Sequence, residues 1–356
     1  MKALLLSEYN NLELVEMPQP NPGPDELLIK VTACGICGSD VHGYDGSTGR
    51  RIPPIVMGHE AAGVVAAIGS EVHKFAPGDR VTFDSTVYCG ACEYCQKDQP
   101  NLCSNRQVIG VSCGEYSRAG AFADFLVIPE RIAYRLPDEF SFSDAAMLEA
   151  VSVALHGVAV SEMKRGDTVL VIGAGMIGSL LLQASRAAGC NRVFVADIDE
   201  TRLRLAHDLG ADSTVMASGE QLTREVLELT NGGGVDVVLE AVGVDETITA
   251  SIDCVRKGGT VTLVGNTSPR VSLPLQKVVS RQIRLQGSCA SSGEYPRAME
   301  LISSGMIKVA PLITAVAPLA DGPSWFRRLH AREPNLMKIV LDPRINPAVK
   351  TAEGGR

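Results

Sequence analysis

The residues with the clearest metal-binding spacing are four cysteines, Cys89, Cys92, Cys95 and Cys103, in the pattern C-x2-C-x2-C-x7-C. Four thiolates held close together fill the tetrahedral shell of a zinc ion and leave no position for a substrate. The same donors also suit an iron–sulfur cluster, and neighbouring cysteines can act as redox thiols. Among these interpretations, the spacing favours a structural zinc site.

A second group of possible ligands, Cys37, His59, Glu60 and Glu149, is scattered along the chain. Zinc binds thiolate, imidazole and carboxylate donors, and three protein ligands leave one coordination position open. Each of these residues alone is more typical of a structural role, as a core thiol, a hydrogen-bonded histidine or a paired carboxylate. The residue types therefore support a second metal site only as a hypothesis.

A glycine pattern near the middle of the chain, Gly173-x-Gly175-x-x-Gly178, has the spacing of a dinucleotide-binding turn. The apolar run 169–172 predicts a strand before it, and the sequence from Met176 predicts a helix after it. Free N–H groups at such a helix start bind the pyrophosphate. The alternative is a glycine-rich turn in a doubly wound sheet of another kind.

An acidic residue follows the turn at the expected distance. The strand that begins at Arg192 ends in Asp197, about 20 residues further along the chain. A carboxylate there accepts hydrogen bonds from the ribose hydroxyls and repels a 2′-phosphate. The pattern therefore predicts NAD rather than NADP.

The predicted secondary structure that positions these residues differs between the first and the second half of the chain. Short apolar runs separated by turns predict β-strands up to about residue 135, and strands alternate with helices from about 167 to 288, as in a parallel sheet. The predicted strands of this sheet are 169–172, 193–196, 235–239, 259–264 and 283–286. Beyond it we expect helices at 294–304 and 324–330, and strands at 312–316 and 337–341.

Composition narrows the functional classes. The chain has 356 residues, 45% hydrophobic and 21% charged, with a formal net charge of −8, which argues against a nucleic-acid surface. No apolar segment approaches the ~20 residues of a membrane helix, and the start of the chain does not resemble a signal peptide. Ten cysteines without a leader indicate thiols and metal in a reducing, cytoplasmic compartment. The expected partner is a small molecule.

The motifs follow one another in a specific order. They are Gly35-Ile-Cys37-Gly-Ser39-Asp40-Val-His42, Gly58-His59-Glu60-Ala-Ala-Gly63, the four-cysteine loop, Leu148-Glu149-Ala-Val-Ser-Val and the dinucleotide turn. In this order, and over nearly the whole chain, the sequence resembles the zinc-dependent medium-chain alcohol dehydrogenases. It is most similar to their sorbitol (polyol) dehydrogenase branch.

The resemblance implies an α/β fold in which one domain is inserted into another. A GroES-like, β-rich catalytic domain would cover residues 1–150 and hold the zinc sites. A Rossmann domain, with a doubly wound parallel sheet that binds NAD, would cover 151–289. Residues 290–356 would return to the catalytic domain and end in a C-terminal tail.

The resemblance also implies two zinc ions per chain, one structural in the cysteine loop and one catalytic. The catalytic ion would be bound by Cys37, His59 and a carboxylate, either Glu60 or Glu149. Asp40 would orient His59 through the second nitrogen of its ring.

A proton relay is implied beside the catalytic zinc. Ser39 would take the proton of the substrate hydroxyl and pass it, by way of the nicotinamide ribose, to His42 and solvent. The alternative for His42 is a solvated helix residue. The implied reaction transfers a hydride from a secondary alcohol, such as a polyol, sugar alcohol or sugar derivative, to NAD.

By the same resemblance, further residues around the turn and at the ends of later strands should bind the cofactor. For Arg202 the plain alternative is a surface helix residue. The cofactor-binding residues expected in this way are Gly173, Gly175, Met176, Ile177, Gly178, Asp197, Arg202, Val264, Gly265, Asn266, Ser288, Cys289 and Ala290.

Two departures from the sorbitol dehydrogenase pattern make sorbitol itself doubtful. The segment 287–292 lacks the arginine that helps to hold the polyol, and Gly43 stands where a tyrosine follows the relay histidine. The alternative function is a threonine- or butanediol-type dehydrogenase with the same zinc and NAD chemistry. The non-enzyme alternative is an inactive paralogue that binds dinucleotide or zinc. The predicted edge strand 283–286 and the resemblance together predict a homotetramer, with a dimer as second choice.

Overall fold

The computed structural model describes residues 1–346. The chain divides into two compact units. The first contains Met1–Cys95, Cys103–Glu149 and, within the described chain, residues 313–346, and the second contains Gln96–Leu102 and Ala150–Leu312.

The strands of the described chain, in order, are β1 (Lys2–Glu8), β2 (Asn11–Glu16), β3 (Glu26–Gly35), β4 (Ile55–Val56), β5 (Glu60–Ile68), β6 (Arg80–Phe83), β7 (Thr86–Val87), β8 (Gln107–Val108), β9 (Phe125–Pro129), β10 (Ala133–Arg135), β11 (Thr168–Ile172), β12 (Arg192–Asp197), β13 (Ser213–Met216), β14 (Val235–Glu240), β15 (Val255–Leu263), β16 (Arg284–Gly287), β17 (Ile313–Pro318) and β18 (Lys338–Asp342).

The helices are α1 (Gly38–Tyr44), α2 (Glu93–Gln96), α3 (Phe142–Ala145), α4 (Leu148–Val160), α5 (Met176–Ala187), α6 (Glu200–Asp208), α7 (Gly219–Leu229), α8 (Asp245–Cys254), α9 (Leu275–Ser280), α10 (Tyr295–Ser303) and α11 (Gly322–His330). Short 3₁₀ turns lie at Pro100–Leu102, Glu130–Ile132, Ala310–Leu312 and Leu319–Asp321. Over residues 1–346, none of these helices combines the length and the apolar character that crossing a membrane requires.

The first unit is built on a mixed sheet in the order β10-β6-β5-β3-β18-β17, with β9 also paired to β3. Strand β3 is almost continuously apolar and buried because it has neighbours on both sides and packs on both faces. Strands β18 and β17 extend the sheet, since β18 pairs antiparallel with β3 and parallel with β17. The core includes Leu4, Phe83, Phe122, Ile128 and Phe326.

The second unit is a six-stranded parallel sheet in the order β13-β12-β11-β14-β15-β16. Renumbered within the unit this is 3-2-1-4-5-6, the doubly wound order of a Rossmann domain, with helices connecting the strands. Leu170, Phe194, Val238 and Val261 are buried in its core. The predicted α/β fold, with a β-rich part and a Rossmann part, is confirmed.

Two elements of the second unit are absent from the sequence prediction. Strand β13 has only Val215 buried among its four residues and lies at the edge of the sheet, so it lacks a hydrophobic pattern. Helix α9 is a six-residue helix after Pro274 that buries none of its residues. Such short, exposed elements depend on tertiary pairing rather than on local periodicity.

Residues 290–312, which the resemblance implies to be part of the return to the catalytic domain, group with the second unit by their contacts. Helix α10 buries Tyr295 and Leu301, and Lys308 exchanges two hydrogen bonds with the Gln183 side chain of α5, at 2.7 and 3.3 Å. These contacts join residues that are far apart in the sequence. The end of the expected C-terminal tail, residues 347–356, lies outside the described chain.

Candidate active site

The end of β3 and the start of β5 bring three possible metal ligands together in the first unit. The two strands pair with Gly35 opposite Glu60, so Cys37 comes close to the His59–Glu60 pair. The thiol, imidazole and carboxylate ligand atoms lie within 4.8 Å of one another. A Cβ atom at position 35 would lie 2.5 Å from Glu60 Oε2. Glycine at position 35 therefore makes room for the carboxylate.

Asp40, a residue of helix α1, lies next to His59 and is completely buried. Its Oδ1 is 3.3 Å from His59 Nδ1, an ion-pair distance without the alignment of a hydrogen bond, and accepts a hydrogen bond from Arg51 Nη2 at 3.1 Å. Burial would raise the pKa of Asp40, but His59 and Arg51 outweigh it and lower the pKa to about 2. A carboxylate in this place can orient the ring that faces Cys37.

These residues fit a zinc ion. Cys37, His59 and Glu60 are donor types that zinc binds in catalytic sites, and His59 and Glu60 are buried. Burial lowers the pKa of His59, but Asp40 and Cys37 raise it well above its usual value. The fit to a metal ion therefore rests on the types of the three donors and on their proximity.

Glu60 has a cationic partner that the sequence analysis did not identify. Lys338, the first residue of β18, forms a buried ion pair with Glu60 and donates a second hydrogen bond to Ile36 O at 3.1 Å. Burial lowers the pKa of Lys338, but Glu60 and Cys37 more than compensate, so the pKa is raised. The sequence does contain a signal, because Lys338 directly precedes the apolar run 339–341, and a charge that is buried with such a strand must find a partner.

Replacing Lys338 by methionine should destabilise the metal-free protein. Glu60 would then be a buried carboxylate without its cation, and breaking such a pair costs about 3–5 kcal/mol. Denaturant unfolding with a chelator present measures this. The double variant Lys338→Met/Glu60→Gln removes both charges and should recover much of the loss. A single variant as stable as the wild type would contradict the role of the pair.

Glu149 lies at the start of α4 but is not among the grouped ligand atoms of the described chain. It accepts a hydrogen bond from Ser85 Oγ at 3.4 Å. Burial raises its pKa to about 7, with Glu60 and Asp84 adding to the rise and His59 opposing it. The geometry therefore groups Glu60 with Cys37 and His59, and leaves Glu149 nearby as a buried carboxyl group.

The two predicted relay residues lie on the exposed face of α1. Ser39 and His42 are three positions apart, so they share one side of the helix, and both are exposed. Ser39 Oγ accepts a hydrogen bond from Arg51 Nη2 at 3.3 Å. The arrangement places a hydroxyl near Cys37 and an imidazole one turn further along, toward solvent.

The four cysteines of the loop also come together. Their sulfur atoms lie within 4.8 Å of one another, with Cys92 Sγ 3.5 Å from Cys95 Sγ and Cys89 Sγ 4.0 Å from Cys95 Sγ. Zinc–sulfur bonds of about 2.3 Å in a tetrahedron place the sulfur atoms about 3.8 Å apart. The cluster therefore has the dimensions of a structural zinc site.

Backbone amides support the thiolate form of two of the four cysteines in this cluster. Cys89 Sγ accepts hydrogen bonds from the N–H groups of Ala91 and Cys92, at 3.5 and 3.4 Å, and these bonds lower the pKa of Cys89. Backbone donors likewise lower the pKa of Cys92 to about 6. Deprotonated sulfur is the form that binds metal.

In the second unit, the glycine turn joins β11 to α5 as the motif requires. Gly173 has φ +97°, a conformation that favours glycine. A Cβ atom at position 178 would lie 1.6 Å from Gly173 O, so only glycine fits there. Met176 is the first residue of α5, Ile177 is the second, and both are half-buried.

Asp197 ends β12 beside this turn. Its Oδ2 accepts a hydrogen bond from Ala174 N at 2.6 Å, and its Oδ1 accepts from Ile198 N and Asp199 N at 2.7 and 2.9 Å. Arg202 lies in α6, with Nε 3.8 Å from Asp199 Oδ2. The Arg202 guanidinium also approaches the turn, 4.0 Å from the position of a Cβ atom at Gly175.

The remaining predicted cofactor residues follow β15 and β16, at the carboxyl ends of parallel strands where dinucleotides bind. They are Val264, Gly265 and Asn266 after β15, and Ser288, Cys289 and Ala290 after β16. A Cβ atom at Gly265 would lie 2.3 Å from Val242 N, so this strand end also requires close backbone packing. Ala290 adopts φ +52°.

A buried network, which the sequence analysis missed, fixes the segment after β16. His156 Nδ1 lies 2.7 Å from Glu294 Oε1, and His156 Nε2 lies 3.2 Å from Asn101 Nδ2. Asn101 also donates to Cys289 O at 2.9 Å. These partners are far apart in sequence, so no local pattern could have indicated them.

Comparison with known proteins identifies the family of the chain. The family model for the alcohol dehydrogenase GroES-like domain matches residues 23–138, and that for zinc-binding dehydrogenases matches 177–304. The chain is 30% identical to sorbitol dehydrogenase of Bacillus subtilis (strain 168) over 347 residues, which cover 96% of this chain and 97% of that protein. It is 34% identical to D-arabitol-phosphate dehydrogenase of Enterococcus avium over 339 residues, 94% of each chain.

A solved structure of similar fold is a candidate zinc-binding dehydrogenase from Sinorhizobium meliloti 1021 bound to NADP. It matches with a TM-score of 0.86 and 34% identity, covering 96% of this chain and 99% of that one. Sequence, fold and the grouping of potential ligands lead to the same family. The chain therefore belongs to the zinc-dependent medium-chain alcohol dehydrogenases, in their polyol dehydrogenase branch.

Proposed function

We propose that this oxidoreductase removes a hydride from a secondary alcohol, a polyol, sugar alcohol or sugar derivative, and transfers it to NAD. The observation that carries the proposal is the close grouping of Cys37, His59 and Glu60. Three ligands of these types leave one coordination position open, as a catalytic zinc ion requires. A zinc ion held there supplies Lewis acidity, which favours loss of a hydroxyl proton near neutral pH.

The residues around the Cys37, His59 and Glu60 group would orient its ligands, transfer the proton and bind the cofactor. Asp40 holds the His59 ring toward Cys37. Ser39 Oγ receives the proton of the substrate hydroxyl, and His42, exposed on the same helix face, passes it to solvent. The glycine turn and Asp197 bind and orient the dinucleotide, which accepts the hydride.

The cysteine cluster would hold a second zinc ion with a structural role. Its sulfur separations match a four-thiolate zinc site, and all four coordination positions are taken by protein. Ten cysteines, four of them grouped as in a zinc site, support a reducing cytoplasmic location. The net charge of −8 supports a small-molecule substrate rather than a nucleic acid.

A polyol or polyol phosphate is the substrate class that the sorbitol and arabitol-phosphate dehydrogenase relatives favour. Gly43 and the absence of an arginine in 287–292 support a second candidate, a threonine- or butanediol-type dehydrogenase. Three grouped ligands that leave one coordination position open argue against an inactive paralogue, because a protein without catalysis does not need an open position on its metal. NAD reduction by the zinc-loaded protein over polyols, sugar phosphates, diols and threonine tests the proposal.

The wild type is expected to prefer NAD to NADP, although the Sinorhizobium meliloti relative binds NADP. Asp197 would repel a 2′-phosphate and accept hydrogen bonds from the ribose. Asp197→Ala should lower the NAD:NADP ratio of kcat/KM by at least tenfold, because one charged hydrogen bond contributes about 1.5–3 kcal/mol. Equal kcat/KM values for the two cofactors in the wild type would refute this role of Asp197.

We propose that the protein is a homotetramer, with a dimer as second choice. Strand β16 lies at the edge of its sheet, and the neighbouring helix α9 exposes Leu275 and Val279, which are 61% and 70% accessible. Pairing across a two-fold axis would cover both features. Light scattering should give four times the chain mass of 37.7 kDa, whereas a mass of one chain at micromolar concentration would defeat the proposal.

A further inference from the structure

A buried arginine, Arg51, lies against helix α1 in the first unit, and neither the motifs nor the proposed function accounts for it. Its side chain is only 5% accessible. Nη2 contacts two acceptors, Ser39 Oγ at 3.3 Å and Asp40 Oδ1 at 3.1 Å, and Nη1 donates to Arg50 O at 3.1 Å. One guanidinium therefore bridges the proposed relay hydroxyl and a buried carboxylate.

The helix itself makes room for this arginine. A Cβ atom at Gly43 would lie 2.1 Å from Arg51 Cγ and 2.9 Å from Arg51 Cβ. These atoms belong to the stem of the side chain and cannot move away without displacing the guanidinium. Glycine at position 43 and arginine at position 51 therefore form one packing arrangement.

The Asp40 carboxylate anchors the guanidinium. A planar guanidinium presents its donors in a fixed fork, so its contacts with Asp40 and Arg50 O determine where Nη2 points. A serine hydroxyl has one hydrogen and two acceptor lone pairs. Donation from Arg51 occupies one lone pair of Ser39 Oγ and leaves the other for an incoming proton.

We propose that Arg51 is a positioning residue for alcohol oxidation, which fixes the Ser39 hydroxyl so that it accepts a proton from the substrate and donates its own hydrogen toward His42. This inference rests on the proposed function. Each turnover moves one proton from the substrate to Ser39 Oγ as the serine hydrogen leaves toward solvent, while two electrons leave with the hydride to NAD. Arg51 keeps its proton throughout.

A double-mutant cycle tests the inference with the zinc-loaded full-length protein. Arg51→Gln should lower kcat about 10–100-fold, the range expected for one charged hydrogen bond, with the zinc content and the KM for NAD unchanged. In the Ser39→Ala background the same change should lower kcat about fivefold less, because the Ser39 partner is already absent and only the Asp40 contact remains to be lost. Arg50→Gln is the matched control and should behave as the wild type, since only the backbone of Arg50 contacts Arg51.

Two further variants keep the test decisive if Arg51→Gln does not fold. Gly43→Ala displaces the arginine without removing its charge and should lower kcat in the same direction, again less in the Ser39→Ala background. Arg51→Lys should recover part of the loss, since it retains a donor. Equal effects of the Arg51 or Gly43 substitution with and without Ser39 would overturn the inference while leaving the proposed function intact. An inactive wild type, or a fully active Ser39→Ala variant, would instead refute the relay and, with it, this role of Arg51.

Discussion

Replacing Cys37 by alanine is expected to remove one of two bound zinc ions and to abolish alcohol oxidation while the protein stays folded. Cys37 belongs to the group with His59 and Glu60, and two ligands do not hold a catalytic zinc ion. Lewis-acid stabilisation by such an ion is worth several kcal/mol, so kcat should fall at least about 10³-fold. Metal analysis and circular dichroism of the purified variant measure zinc loss and retention of the fold, and a kinetic assay measures kcat.

The matched control is Cys34→Ala. Cys34 is a buried thiol three residues away but lies outside both cysteine-containing ligand groups of residues 1–346, so it should keep both ions and the activity. Cys103→Ala should lose the structural zinc ion before the catalytic one. Loss of both ions, or of neither, in Cys37→Ala would show that the two sites are not separate.

The second large effect concerns the proton relay. Ser39→Ala should lower kcat by more than about 10²-fold, because it removes the group proposed to contact the substrate oxygen. His42→Ala should lower kcat about 10²-fold or less, because solvent can replace a terminal proton shuttle. The decrease in kcat should appear mainly below neutral pH, where hydroxide is scarce. Both variants should retain their zinc. The measurement is kcat as a function of pH for the wild type and the two variants.

His73→Ala serves as the control for this experiment. His73 is also an exposed histidine of the first unit, but it is far in sequence from α1 and its backbone N–H bonds to Glu130. Its pH profile should match that of the wild type. If the His42→Ala profile also matches that of the wild type, His42 is an ordinary solvated helix residue. A Ser39→Ala variant with full activity would refute the proposed relay.

Much of the fold could be predicted because its signals are local. The glycine turn requires glycine at 173 and 178 for backbone reasons that the structure shows directly. The apolar runs of β11, β12 and β14 are buried on both faces, which gives parallel strands their continuous hydrophobic character. The cysteine spacing likewise indicates a compact ligand group, because its four members lie in one short segment of the chain.

The parts that could not be predicted depend on contacts between residues far apart in the sequence. Lys338 pairs with Glu60 across 278 positions, and Arg51 reaches Ser39 and Asp40 from a loop without a motif. The position of residues 290–312 follows from side-chain contacts such as Gln183 with Lys308. Burial and pairing of this kind arise only when the sheet brings distant segments together.

The central claim is direct, zinc-dependent transfer of a hydride from the carbinol carbon to NAD. The most direct measurement uses the alcohol identified by the substrate screen, deuterated at the carbinol carbon, with zinc-loaded and chelator-stripped protein, and analyses the nicotinamide product by mass spectrometry. We expect one deuterium in each NADH formed by the zinc-loaded protein and no turnover by the stripped protein. Unlabelled NADH, or equal turnover without zinc, would contradict it.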